Sequence, residues 1–372
     1  MHKEIQLFDC AIIGGGLAGL CLAIQLADKN KKVVLFDKNH YPFHKVCGEY
    51  ISMESFQFLE SLGLPLSEMK LPKINNIGIS SVKGFMLEGN LDLGGFGISR
   101  FTLDYELSKI AKAKGVDVKE GAKVNSVVEN GESNEISSGA ESFTARLVCG
   151  SYGKMAPAFI ERLRTKENYI GVKYHIRTDF PHDRIELHNF KDGYCGISEV
   201  DNKTYCLCYL TTADNLKSCN NDIAKMERDI LMKNPFLKNI FNNSEFIYDK
   251  PLSISNVTFK KKKATSGNIL LLGDAAGAIA PLCGNGMSMG MRASKILAGY
   301  VTDFLDNKIS LQTLKENYTL DWNKAFGSRI SAGYRLQKLF GNNSLTHLVL
   351  KLLNKTPALF KKLIALTHGN PF

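Results

Sequence analysis

The stretch IQLFDCAIIGGGLAGLCLAIQLADKNKKVVLFD, residues 5–37, decides the fold class. Residues 5–13 end in an apolar run suited to a buried parallel strand. Gly14-Gly15-Gly16 follows, and apolar residues then recur at helical spacing as far as Asn30, a residue type suited to a helix C-cap. Residues 32–37 (KVVLFD) form a second strand-like run. Strand, turn, helix and strand within about thirty residues is the size of one βαβ unit. Inside it, Gly14-x-Gly16-x-x-Gly19 sits between the predicted strand and helix, and Asp37 closes the next strand 18 positions after Gly19. Gly14 permits the tight turn, Gly16 lets a pyrophosphate approach the backbone, and Gly19 lets the helix pack on the strand. The phosphates then meet free N–H groups at a helix N-terminus, and Asp37 can accept hydrogen bonds from a ribose.

The rest of the chain bounds the partners. With 372 residues, 44% hydrophobic and 23% charged, it has the balance of an ordinary globular protein and can bury a large core. Its nine cysteines are scattered without a CxxC pair, which suggests free thiols in a reducing cytoplasm. The first apolar run passes straight into the glycine cluster and no run reaches 18 apolar residues, so neither a signal peptide nor a membrane span is expected. The net charge of +10 suits anionic cofactors, substrates or a membrane surface. The one dense basic run, Lys260–Lys263, lacks interleaved aromatics and reads as a solvated loop or edge-strand feature, so no nucleic-acid partner is expected. No metal site is expected: the histidines lack ligand spacing, and Cys206-x-Cys208 on a strand points two thiols to one face without partner ligands.

Residues 53–62 read as a helix, 74–99 as strands and turns, and a helix opens at Arg100 and continues to about Lys114. Residues 116–118, 123–128 and 143–149 read as strands, whereas 156–265 changes to short strand-like segments interrupted by one helix at about 221–233. Residues 267–272 form a last buried strand, and the pattern from 291 onward is helical, with Leu/Lys amphipathic stretches at 336–367. Those stretches can cap the fold or hold a membrane surface.

The second informative stretch is ILLLGDAAGAIAPLCGNGMSMGMRAS, residues 269–294. Asp274, at the carboxyl end of a strand, can accept a hydrogen bond from a polyhydroxyl chain. Gly284, Gly286 and Gly290 let backbone pass close to a planar ligand or phosphate at another helix start. Two anion-friendly helix starts so far apart in sequence suit one extended cofactor.

Taken together these segments resemble the FAD-dependent family of aromatic-hydroxylase-type monooxygenases, geranylgeranyl reductases and flavin-dependent halogenases. Lys45-Val46-Cys47-Gly48-Glu49 is similar to the Cys-Gly segment of the geranylgeranyl reductase branch, which runs near the flavin, and Arg100-Phe101-x-x-Asp104-x-x-Leu107 is similar to a helix start whose arginine faces the cofactor. The resemblance implies FAD held by Gly14, Gly16, Leu17, Ala18, Gly19, Asp37, Lys38, Lys45, Cys47, Gly48, Arg100, Gly273, Asp274, Ala275, Gly284, Gly286 and Met287. Three departures stand out. Leu17 replaces the proline common after the turn, Cys149-Gly150-Ser151-Tyr152-Gly153-Lys154 lacks the aspartate of Ala-Asp-Gly-x-x-Ser, and the paired tryptophans of halogenases are absent, Trp322 being the sole tryptophan. The last argues against a halogenase, and the second puts use of NAD(P)H as reductant in doubt.

The expected architecture is α/β: a Rossmann-like FAD-binding lobe (1–75, 100–155 and 266–300), a mainly antiparallel β-sheet substrate lobe of aromatic-hydroxylase type (76–99 and 156–265) and a C-terminal helical region (301–372). The expected activity is reduction of a C=C bond in a hydrophobic, prenyl- or polyketide-like small molecule, as in geranylgeranyl reductases. NAD(P)H-dependent hydroxylation stands as the alternative, and an electron-transfer or partner-processing flavoprotein, served by an electron-donor protein, as another class. Cys47 is the candidate catalytic group, its thiolate favoured by Lys45 and His44. Glu49 reads equally as a group that positions the ring or as a solvated loop charge. His175 and His188 read as satisfied core or edge residues.

Overall fold

The computed structural model describes residues 7–161, 167–259, 262–279, 284–339, 343–367 and 369–372. The apolar run Leu7–Ile13 forms β1, the helix Leu17–Ala27 forms α1, and Val33–Phe36 forms β2. β1 and β2 pair in parallel, Cys10 with Val33 through Ile13 with Phe36, which is the βαβ unit predicted from the glycine pattern. Nearly every residue of α1 is buried, because the helix is covered on all sides by the sheet and by later helices.

The chain then contributes β3 (Tyr50–Ser52), α2 (Phe56–Ser61), β4 (Lys73–Ser80), β5 (Met86–Gly97) and α3 (Arg100–Ala113). β6 (Asp117–Lys119), β7 (Val124–Asn130), β8 (Ser133–Ser138) and β9 (Glu141–Gly150) follow. The middle supplies β10 (Tyr169–Arg177), β11 (Arg184–Phe190), β12 (Gly193–Glu199), β13 (Tyr205–Thr212), α4 (Ala213–Ser218), α5 (Ile223–Asp229), α6 (Pro235–Asn243), β14 (Glu245–Phe246) and β15 (Leu252–Val257). β16 (Thr265–Ser266), β17 (Ile269–Leu271), α7 (Gly286–Leu305), α8 (Leu311–Leu339), α9 (Asn343–Lys355) and α10 (Pro357–Thr367) complete it.

Two sheets result. The first runs β16-β17-β9-β1-β2-β6, with β7 and β8 as an antiparallel extension on β9; β17, β9, β1, β2 and β6 are parallel. The second runs β14-β10-β13-β12-β11-β4-β5-β3, with β15 on β10, and all its pairings are antiparallel except β11 with β4. The short strand β3 and the start of β4 belong to the second sheet, so the chain leaves the first sheet before Tyr50 and rejoins it at Asp117. The helix expected near 221–233 is α5, and it is flanked by two that were not expected, α4 and α6; Asp222 and Asn234 cap α5 and α6 through their side chains. Of the basic run Lys260–Lys263, the first two residues lie outside the described segments, as does Cys283.

Candidate active site at the junction of the two sheets

The glycine turn is built by close approach of backbones. Gly14 has φ +107, donates its N–H to Phe36 O at 2.8 Å, and a Cβ on it would stand 2.4 Å from Ser151 O. A Cβ on Gly19 would stand 2.2 Å from Gly14 O, so only glycine lets α1 start this close to β1. Gly16 differs: a Cβ there would meet nothing nearer than Lys45 Nζ at 3.6 Å and Arg100 Nη2 at 3.8 Å. Its open side therefore faces two cations. Leu17 and Ala18 are buried in the first turn of α1.

Those cations are held by Asp104. Lys45 Nζ donates to Asp104 Oδ2 at 2.9 Å, and Arg100 grips the same carboxylate through Nε at 2.8 Å and Nη2 at 2.6 Å. Burial would raise the Asp104 pKa, but Arg100 and Lys45 more than offset it and hold the carboxyl below its usual range. Asp37 is buried at the carboxyl end of β2, accepting from Gly15 N at 3.0 Å and Asn39 N at 2.9 Å, while Lys38 beside it is exposed. Tyr41, a residue with no motif to announce it, donates its hydroxyl to Gly15 O.

The distant glycine segment arrives at the same place. A Cβ on Gly273 (φ +61) would stand 3.3 Å from Ala18 Cβ, and one on Gly290 3.4 Å from the same atom. Gly273, Asp274 and Ala275 form a short helical turn after β17, and Gly286 opens α7. Asp274 is paired by Lys154, and Lys262 Nζ donates to Asp274 O at 3.0 Å. Burial would lower the Lys154 pKa, but the Asp274 charge more than reverses it. A Cβ on Gly284 (φ +66) would stand 3.1 Å from the Tyr50 ring, and Cys47 Sγ lies 3.7 Å from Met287 Sδ in the first turn of α7. The turn at Gly14–Gly19, the loop Lys45–Gly48 and the start of α7 thus border one groove. Gly48 is exposed there, with open space where a side chain would be.

The other wall is the second sheet. Cross-strand partners share a face, so the row Lys173–Cys208–Gly196–Leu187 and the row His175–Cys206–Ser198–Ile185 look the same way. Gly171 on that face approaches Val46, with 3.1 Å from its Cβ position to Val46 Cγ1. Leu187, Tyr194 and Leu210 pack there with Val257, Phe259 and Ala278 into an apolar patch.

Glu49 is the residue that joins the walls, and its reading as a solvated charge is overturned. It is fully buried, with φ +57 in the left-handed region. One oxygen accepts from Lys173 Nζ and from Arg100 N at 2.7 Å; the other accepts from His175 Nε2 at 2.6 Å. Lys173 Nζ also reaches Lys45 O at 3.2 Å. Burial alone would push the Glu49 pKa up, yet the His175 hydrogen bond and the Lys173 charge hold it below the carboxylate range. A non-glycine residue held in this conformation marks a site that its surroundings over-determine.

The two groups expected beside Cys47 have partners of their own: Lys45 is paired with Asp104, and His44 is hydrogen-bonded to Tyr248 at 2.8 Å and stacked on Phe101. Cys206 donates to Cys47 O at 3.2 Å. Glu49, His175 and Cys206 place one ligand atom each within 4.8 Å of one another, but Lys173 already puts an ammonium on that carboxylate and burial pushes the Cys206 thiol up, so the cluster does not suit a cation. His188 is a core residue, bonded to Ser80 Oγ at 2.9 Å, with burial lowering its pKa to about 3.

Residues 12–46 match the NAD(P)-binding Rossmann-like domain family. Conditioned medium factor receptor 1 of Dictyostelium discoideum is 25% identical over 364 residues, 88% of this chain and 69% of that protein. Squalene monooxygenase of Candida glabrata is 32% identical over 82 residues, 22% of this chain and 16% of that enzyme. Among solved structures, the flavin-dependent brominase Bmp2 superposes with a TM-score of 0.80 at 18% identity, covering 97% of this chain and 93% of that one. PqsL of Pseudomonas aeruginosa, described as a probable FAD-dependent monooxygenase, superposes with a TM-score of 0.72 at 13% identity, covering 93% of this chain and 100% of that one. The chain therefore has the fold of the flavin-dependent halogenases and FAD-dependent monooxygenases, built on a Rossmann-like dinucleotide-binding segment at residues 12–46.

Proposed function

We propose that this chain is an FAD-dependent oxidoreductase that acts on a hydrophobic small molecule of prenyl or polyketide character. The observation that carries the reading is the meeting of Ala18 with Gly273 and Gly290, which brings two glycine turns about 260 residues apart in sequence to one groove.

The residues present fit FAD. Gly16 opens onto Lys45 and Arg100 at the start of α1, and a helix N-terminus facing two cations supplies what a pyrophosphate requires. Asp37 would accept hydrogen bonds from an adenosine ribose, and Asp274, paired with Lys154, from the polyhydroxyl chain. When bound, the cofactor supplies the redox chemistry at its ring. The chain's own groups do the rest. Asp104 keeps Lys45 and Arg100 aimed at the groove. Glu49, Lys173 and His175 fix the Lys45–Glu49 loop against the second sheet. The patch of Leu187, Tyr194, Leu210, Val257 and Phe259 keeps water from an apolar reactant.

C=C reduction is the first reading, supported by the Lys45–Glu49 segment and its likeness to the geranylgeranyl reductase branch. Hydroxylation driven by NAD(P)H is the second, supported by the match to an enzyme named for oxygenating squalene. The test is anaerobic titration of the purified yellow protein. Bleaching by NADH or NADPH, followed in air by an isoprenoid product that has gained one oxygen, selects hydroxylation. Bleaching only by dithionite or reduced ferredoxin, with a product that has gained two hydrogens, selects reduction. Protein that stays colourless when offered FAD overturns both.

A further inference from the structure

Residues 322–372 contain eight Lys and Arg and no Asp or Glu, so they carry eight of the ten net positive charges of the chain. Within them, α9 turns Leu350 and Leu353 inward, onto Ile79 and Leu87 of the second sheet and Phe360 of α10. That inner stripe is enough to fix the helix. Yet Leu345, Leu348 and Leu352 lie on another face at i, i+3 and i+7, and they are 40%, 65% and 56% exposed; Leu359 of α10 is 45% exposed. Lys351, Lys355 and Lys362 are exposed beside them, and Lys361 is paired with Asp92 at 3.0 Å. The surroundings are positive enough that Lys351 and Lys83 add to burial in lowering the His347 pKa.

We propose that the outer face of α9 and the start of α10 dock on an anionic membrane surface, with Leu345, Leu348, Leu352 and Leu359 entering the headgroup–acyl boundary and Lys351, Lys355 and Lys362 meeting lipid phosphates. A leucine stripe flanked by lysines, on helices that carry no Asp or Glu of their own, is complementary to that surface. A second copy of this chain would set lysine against lysine. No described helix is long and apolar enough to cross a membrane, so the contact lies in the plane of the interface. The proposal stands apart from the redox reading, although an apolar substrate would then be met in its own reservoir.

Co-sedimentation of the full chain with phosphatidylcholine vesicles, with and without phosphatidylglycerol, tests it. The protein should pellet with the phosphatidylglycerol vesicles and be released as salt screens the lysines. The Leu348→Glu/Leu352→Glu pair should weaken partition at least ten-fold, on the order expected for expelling two leucines from the interface, with an unchanged melting temperature. Lys351→Gln/Lys355→Gln should weaken it about ten-fold on anionic vesicles alone. No binding to phosphatidylglycerol vesicles overturns the proposal, as does equal binding of all variants. A soluble oligomer that the leucine variants dissociate overturns it in favour of a second copy.

Discussion

Two buried carboxylates in this molecule are each gripped by two basic side chains, and their settings differ. Asp104 holds Lys45 and Arg100, whose side chains remain 25% and 12% exposed toward the groove under Gly16. Glu49 holds Lys173 and His175, and all three are sealed from solvent. The first cluster has positive charge to spare and a way in, so it is arranged for an anion that arrives. The second is saturated, through Arg100 N and Lys45 O as well, and ties a loop to a sheet. Similar ingredients thus serve binding in one place and positioning in the other, and solvent access decides which.

Removing one cation from each cluster gives the largest contrast. Lys173→Met leaves Glu49 buried with His175 as its remaining side-chain partner among the described residues, and unfolding by urea should show a loss of about 3–5 kcal/mol. Removing Lys45, which is partly hydrated, should cost under about 1 kcal/mol in the same measurement. Equal losses would break the distinction between a sealed cluster and an open one.

Gly16→Val sharpens the other side. Nothing lies within 3.5 Å of the new Cβ, and the backbone there is extended, so the apoprotein should melt as before. The side chain would occupy the space before Lys45 and Arg100, and FAD affinity should fall at least about 100-fold, or roughly 2.7 kcal/mol, by fluorescence titration. Retained affinity would place the pyrophosphate elsewhere.

Acid should reveal the sealed cluster in a third way. The Glu49 pKa is below the ordinary carboxylate range, so its stabilising contribution is complete above the unfolded value of about 4.3 and is lost as pH falls through the depressed folded value. Lys173 is shifted upward, burial being outweighed by the Glu49 charge, so its contribution is complete below the unfolded lysine value and lost only above the ordinary lysine range. The stability difference between wild type and Glu49→Gln should narrow as the pH falls below about 4. A difference that stays constant through the acid range would mean that the Glu49 charge adds nothing to stability.

The binding turn was legible in sequence because its parts are local. Gly14, Gly16, Gly19 and Asp37 sit within one βαβ unit, and their roles follow from a turn, a helix start and a strand end. Asp274 was legible for the same reason, but its partner was not. The segment Ser151–Lys154 read as a departure for want of an aspartate, whereas its lysine provides the counter-charge. The positioning cluster escaped because it joins residues 124 and 126 positions apart. One signal was there: in β10, YIGVKYHIR, Lys173 and His175 share a face of a strand whose interior, 170–176, is buried. Such a strand requires a counter-charge from elsewhere in the chain. Only the fold says that it is Glu49.

The smallest effect isolates charge from shape. Lys45→Gln keeps a hydrogen-bond donor on a side chain one atom shorter but removes one of the two cations facing Gly16, while Arg100 stays locked on Asp104 through two nitrogens. Lys45 is the partly exposed member, so the loss in FAD affinity should be about ten-fold at low salt and shrink as ionic strength rises, because a groove open to water is screened. The matching change in the sealed cluster, Lys173→Gln, should act instead by loosening the Lys45–Glu49 loop, which lowers turnover and stability with little dependence on salt. If salt erased both defects alike, Lys173 would be counted with the binding cations, and solvent access would not separate the two clusters.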